Sequence, residues 1–115
     1  PIYIKFNRSI VAIAESLGAK IVAFSTRGFT AMAIARFRPK NPVIVVSNNM
    51  KTSRQLRILW GVTPVFVGRK KIGLSDLGKI AIGRGLAKCG DRLVITMGWR
   101  PEMGPVQEIR VEEVR

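Results

Sequence analysis

The stretch KIVAFSTRGFTAMAIARFRPKNPVIVVS, Lys20 to Ser47, decides the fold. KIVAF (Lys20–Phe24) is a short apolar run bounded by polar residues, the pattern of a strand buried on both faces. STRG turns the chain. FTAMAIARF reads as a short helix that must stop before Pro39, because the residue before a proline disfavours the helical region. KNP is a loop, and VIVV (Val43–Val46) is a second buried strand. Strand, helix, strand in so few residues is the unit of a parallel sheet.

The same alternation continues outward. Upstream, Asn7 is a candidate cap for a helix over Arg8–Leu17, with Ile10, Ile13, Ala14 and Leu17 on one face and Gly18 as its stop. Downstream, SNNMKT leads into a third helix near Ser53–Leu59, and Gly61 ends it. Thr63–Val67 (TPVFV) reads as a third strand. Ser75 or Asp76 caps a fourth helix reaching about Ala87. Cys89-Gly90-Asp91 turns into a fourth strand, Arg92–Met97. After the loop GWRPEMG, Val106–Val114 alternates apolar and charged residues, as an edge strand with one wet face does. The expectation is a three-layer α/β/α domain spanning residues 1–115. Its sheet has five strands, mostly parallel, in the order 3-2-1-4-5, with strand 5 antiparallel.

Composition agrees with a globular domain and removes several chemistries. Of 115 residues, 47% are apolar and 23% charged. One cysteine, Cys89, and no histidine exclude disulfide frameworks, cysteine-based zinc sites and Ser-His-Asp or Cys-His catalysis. No apolar run is long enough for a membrane span, and Lys5 and Arg8 interrupt any signal-peptide core. Seven scattered carboxylates offer neither a metal site nor an acid–base pair. Twenty Lys and Arg against seven Asp and Glu give +13, and no acid occurs between Ser16 and Ser75, against eleven basic residues. Such a surface attracts polyanions.

The expected strand order has a chemical consequence. Open α/β sheets bind ligands outside the C-terminal strand ends, where the winding reverses. Here the reversal falls between strands 1 and 4. Their exit loops are STRGFT, with Ser25, Thr26, Arg27, Gly28 and Thr30, and GWRPEMG, with Trp99, Arg100 and Gly104. Hydroxyls, a glycine and free backbone N–H groups ahead of a helix suit a phosphate; capping of the helix by Ser25, Thr26 or Thr30 is the plainer alternative. An indole and a guanidinium between two glycines can close over an anion. Arg69-Lys70-Lys71 is a basic run at a surface turn, and Arg54 and Arg57 share a helix face.

Three segments carry a family resemblance, in order: ARFRPKNPVI, TSRQ…GVTPV and GD…GWRP. With the residues between them, from about Asn7 to Val114, the chain resembles the C-terminal domain of pyruvate kinase. The resemblance implies the same 3-2-1-4-5 sheet. It implies that this domain holds no catalytic residue and no cofactor, since the Mg²⁺, K⁺, phosphoenolpyruvate and ADP sites belong to the barrel and lid domains absent from this chain. It implies a regulatory and assembly role in a cytoplasmic glycolytic enzyme: binding a sugar phosphate or phosphate effector, and joining copies into an oligomer through strand 106–114. Ser25, Gly28 and Thr30 match the family's phosphate loop, whereas Arg27 and Phe29 depart from it. Gly98, Trp99, Arg100, Pro101 and Gly104 match the second loop. Gly73 falls where relatives carry an arginine for a second phosphate, a role left here to Lys70 or Lys71. The alternatives are a free-standing basic domain that binds nucleic acid, and a stand-alone phosphate-metabolite sensor. One tyrosine and no base-stacking motif speak against sequence-specific nucleic-acid recognition.

Overall fold

A computed structural model describes residues 2–97 and 108–115, with side chains from Lys5 onward. Five strands form one sheet: β1 (Lys20–Phe24), β2 (Val43–Ser47), β3 (Val62–Phe66), β4 (Arg92–Met97) and β5 (Glu108–Glu113). Their order is β3-β2-β1-β4-β5. The first four are mutually parallel, and β5 runs antiparallel to β4. The strand order and directions expected from the sequence are those observed.

Burial explains why the central strands lack period-two polarity. Ile21, Ala23, Val43, Val45 and Val94 face one cluster, together with Ile10, Val11 and Ala14 of α1 (Ile2–Leu17) and Ile34 of α2 (Phe29–Ala35). Leu56, which follows α3 (Met50–Gln55), joins the same cluster. Val22, Ile44, Val46, Leu93 and Ile95 face the other, against Leu77 and Ala81 of α4 (Leu74–Gly83). The winding reverses between β1 and β4, so α4 alone among these helices covers the second face.

Helix boundaries moved where packing overrides local signals. Helix α1 starts at Ile2, so Asn7 is not its cap. Asn7 is 1% exposed and stands on the buried stripe with Ile10, Val11 and Ala14, at helical spacing. Helix α3 starts three residues before the expected Ser53. Asn49 is its cap, with Oδ1 accepting the Thr52 N–H at 3.1 Å. A single 3₁₀ turn, Leu56–Ile58, completes that segment. Helix α2 ends at Ala35, two residues short of the expected Phe37. In α4 the cap position is Gly73; Asp76 sits three residues inside and its Oδ2 accepts the Gly73 N–H at 2.8 Å. Helix α4 stops at Gly83, short of Ala87. Gly85 takes φ +72°, which lets the Leu86 N–H reach Ala81 O (2.9 Å) and the Gly85 N–H reach Ile82 O (3.0 Å), closing the helix early. Strand β3 lies one residue earlier than expected. Strand β5 is described from Glu108; residues 106–107 of the expected strand lie outside the described residues.

The two sheet edges differ. Gly61 O accepts from Val43 N–H, and Val67 N–H donates to Ser47 O. By the two-residue period, Pro64 falls on the outward phase of β3, where it removes a donor and blunts the edge. On β5, Val114 bonds inward to Gly90 and Asp91. The same period leaves Ile109, Val111 and Glu113 with outward backbone groups. Glu108, Arg110 and Glu112 stand opposite Met97, Ile95 and Leu93 and share the α4 face; Ile109 and Val111 share the other.

Candidate functional site

The C-terminal ends of the parallel strands form a rim, and the turn that leaves β1 stands on it. Phe24 ends β1 and Ser25 leaves it, the Ser25 N–H donating to Val46 O of β2 at 3.0 Å. That bond holds the loop against the sheet. Ser25 is buried, and its Oγ accepts the Gly28 N–H at 2.9 Å, closing a tight turn. Gly28 takes φ +92°, ψ −3°, a left-handed conformation costly for any residue with a Cβ. A Cβ at Gly28 would lie 3.5 Å from Thr52 Cγ2 and 3.7 Å from Leu56 Cδ2, so the turn packs on α3 at ordinary contact distance.

The turn divides its residues by exposure. Thr26 and Arg27 are exposed, and Phe29 is 63% exposed. Thr30 is buried. Helix α2 begins with Gly28 as its cap residue and no side-chain cap. Ser25 Oγ, three residues upstream, accepts the N–H of that cap residue and closes the turn from within.

The remaining candidates distribute as follows. Trp99, Arg100 and Gly104 lie outside the described residues. Lys70 and Lys71 are exposed in the loop after β3, on the same rim but two strands from β1. Asn48 Nδ2, from the β2 exit, reaches Arg69 O at 3.4 Å and ties that basic loop to its neighbour. Arg54 and Arg57 are exposed on the α3 segment. Cys89 is exposed and free. Among the described residues no three His, Cys, Asp or Glu gather as a metal site, and no helix is long and apolar enough to cross a membrane.

One charged cluster escaped the sequence reading. Lys20 Nζ donates to Asp91 Oδ2 at 2.9 Å and to Leu86 O at 3.0 Å. Asp91 Oδ2 also accepts the Lys88 N–H at 2.9 Å. The Lys20 hydrogen bond, then the Lys88 backbone N–H, holds the Asp91 carboxyl below the ordinary 3.8. The partners are 71 positions apart, and nothing local announces them. This clamp sits at the amino ends of β1 and β4, the opposite end of the sheet from the rim.

Over residues 6–111 the sequence matches the family described as "Pyruvate kinase, alpha/beta domain". The chain belongs to the pyruvate kinase family. The pyruvate kinase of Staphylococcus epidermidis is 38% identical over 94 residues, 78% of this chain and 16% of that protein. That of Pyrobaculum aerophilum is 38% identical over 63 residues, 55% of this chain and 14% of that protein. The crystal structure of the Pyrobaculum aerophilum pyruvate kinase superposes with a TM-score of 0.79 at 30% identity, covering 97% of this chain and 23% of that one. The chain thus spans less than a quarter of the pyruvate kinases it matches, and what it shares with them is their C-terminal α/β domain.

Proposed function

We propose that this domain is the regulatory and assembly module of a pyruvate kinase, whose remaining parts transfer the phosphoryl group of phosphoenolpyruvate to ADP in the cytoplasm. A phosphorylated effector would bind between the loops that leave β1 and β4. The observation that carries this reading is the Ser25–Thr30 turn. It stands at the winding reversal, is closed by the Ser25–Gly28 hydrogen bond, and presents exposed Thr26 and Arg27 beside a glycine in left-handed conformation. Backbone N–H groups, a hydroxyl and a guanidinium in one turn match what a phosphate requires. Trp99, Arg100 and Gly104 of the second loop would close over it, and Lys70 or Lys71 would take a second phosphate where the ligand has one. The domain itself supplies no catalytic residue; Mg²⁺ and K⁺ belong with the barrel, which would pack against it as a domain partner.

Titration calorimetry with inorganic phosphate and glucose 6-phosphate tests the site. Saturable heat that falls about tenfold in affinity in Arg27→Ala supports it. No heat with either ligand overturns it.

Assembly would use β5. Its outward phase, Ile109, Val111 and Glu113, offers unpaired backbone groups, and Ile109 and Val111 are 38% and 52% exposed. A two-fold antiparallel pairing centred on Val111 sets Arg110 opposite Glu112 of the second copy; one centred on Ile109 sets it opposite Glu108. Within one chain Arg110 Nε already lies 3.5 Å from Glu112 Oε2, so the same charges would exchange partners across the pair. Each opposite-charge pair contributes about 0.2–1 kcal/mol. A register centred on Arg110 opposes like charges and is disfavoured.

A further inference from the structure

Helix α4 carries Gly78 in its middle, where glycine costs about 1 kcal/mol relative to alanine. The position is buried against the sheet. Its neighbours show what the missing side chain leaves room for. A Cβ at Gly78 would collide with Glu112 Oε1 of β5 and stand 3.3 Å from Ile95 Cδ1 of β4. The carboxylate of the edge strand thus occupies the space that a side chain at position 78 would need. Its other oxygen, Oε2, lies 3.5 Å from Arg110 Nε on the same strand. One carboxylate therefore touches the helix with one oxygen and holds an arginine with the other.

Strand β5 needs such a hold. It lies at the sheet edge with β4 as its strand neighbour, and Ile109 and Val111 on its other face are exposed. Val114 fastens the far end of the strand: it is buried, its N–H donates to Asp91 O, and its carbonyl accepts from Gly90 N–H, both at 2.8 Å. Glu112 fastens the middle of the strand to α4. Edge elements with few buried apolar contacts open locally at lower free energy than the core. A contact from a helix of the core onto such a strand sets how readily it opens.

We propose that Gly78 and Glu112 form a latch by which α4 holds the terminal strand. With the carboxylate seated over the glycine, β5 is pressed to the helix and Arg110 is fixed. With the carboxylate unseated, β5 loosens while the rest of the sheet stays intact. Helix α4 follows the loop that carries Arg69, Lys70 and Lys71, so the latch ties the edge strand to that loop through one rigid element. The inference needs neither a phosphate at the β1 exit nor pairing of β5 with a second copy.

The test is amide hydrogen exchange by NMR on the ¹⁵N-labelled 115-residue chain, with Gly78→Ala, Glu112→Ala and the double variant. Arg110 lies on the phase of β5 whose backbone faces β4, so its amide reports on the strand. Each single change should lower the protection of that amide about tenfold and leave the Val22 amide of β1 unchanged. Once Glu112 is alanine, adding Gly78→Ala should cost Arg110 nothing further. It should instead raise the urea midpoint, because alanine favours the helix and the seat is already empty. Losses that multiply in the double variant would show that the two residues act separately and would overturn the proposal. So would equal losses at Val22 and Arg110 in Gly78→Ala. Glu112→Ala removes the contact without crowding the helix, so unchanged Arg110 protection in that variant alone would also refute the latch.

Discussion

Gly28→Ala isolates the one feature of the β1 exit that only glycine supplies cheaply. The backbone there is at φ +92°, ψ −3°. Space is not the obstacle, because the added methyl would meet Thr52 Cγ2 and Leu56 Cδ2 at 3.5 and 3.7 Å, ordinary contact distances. The cost is therefore conformational, about 1–2 kcal/mol for an L-residue held in the left-handed region. Against it, alanine reduces the freedom of the unfolded chain, an offset of about 0.4–1 kcal/mol. The net is a destabilisation of about 1 kcal/mol, which lowers the urea midpoint by about 0.5 M at an unchanged slope. Gly28→Asn should lose less, since asparagine tolerates this conformation better than alanine. Urea unfolding followed by circular dichroism reads both. An unchanged or raised midpoint for Gly28→Ala would show that the turn relaxes out of the left-handed conformation without cost. The turn would then not be pre-set for a ligand.

Ser25→Ala leaves the buried Gly28 N–H without its acceptor and should cost about 1–3 kcal/mol, read by the same unfolding assay; a neutral effect would mean the turn repairs the bond elsewhere. Leu77→Ala empties the fully buried centre of the α4 face and should cost about 2–5 kcal/mol, the largest loss among these variants. The folded Asp91 carboxyl is held below its ordinary 3.8. Its contribution is thus complete above about pH 4 and is lost as pH falls through the lowered folded value. Asp91→Asn should remove that part of the acid dependence and leave the neutral-pH slope unchanged. Nucleic acid should bind this +13 surface only weakly, without sequence preference, and with an affinity that falls steeply with salt; a sequence-selective complex that survives about 200 mM salt would contradict that reading.

The sheet was legible because its centre needs no context. KIVAF, VIVV and RLVITM are apolar on both faces, and only a strand covered by helices on both sides can bury them. Right-handed crossovers then left few orders to choose from. Helix starts were less legible because capping competes with packing. Asn7 has the chemistry of a cap but falls on the stripe that α1 buries. Asp76 caps from three residues inside rather than at the boundary. At the rim, the residue types of STRGFT announced a polar turn, but their exposure did not follow from type. Ser25 and Thr30 point inward while Thr26 and Arg27 remain outside, a division set by the bonds to Val46 and Gly28. The Lys20–Asp91 clamp depends wholly on strand adjacency and was invisible in the chain itself.

A crystal of the chain soaked with glucose 6-phosphate decides whether the β1 exit holds a phosphate. Phosphate density is expected within hydrogen-bond reach of the backbone between Thr26 and Gly28, with the Arg27 guanidinium turned toward it. A fully occupied ligand bound only at Lys70 and Lys71, or an unoccupied β1 exit at saturating ligand, would contradict it.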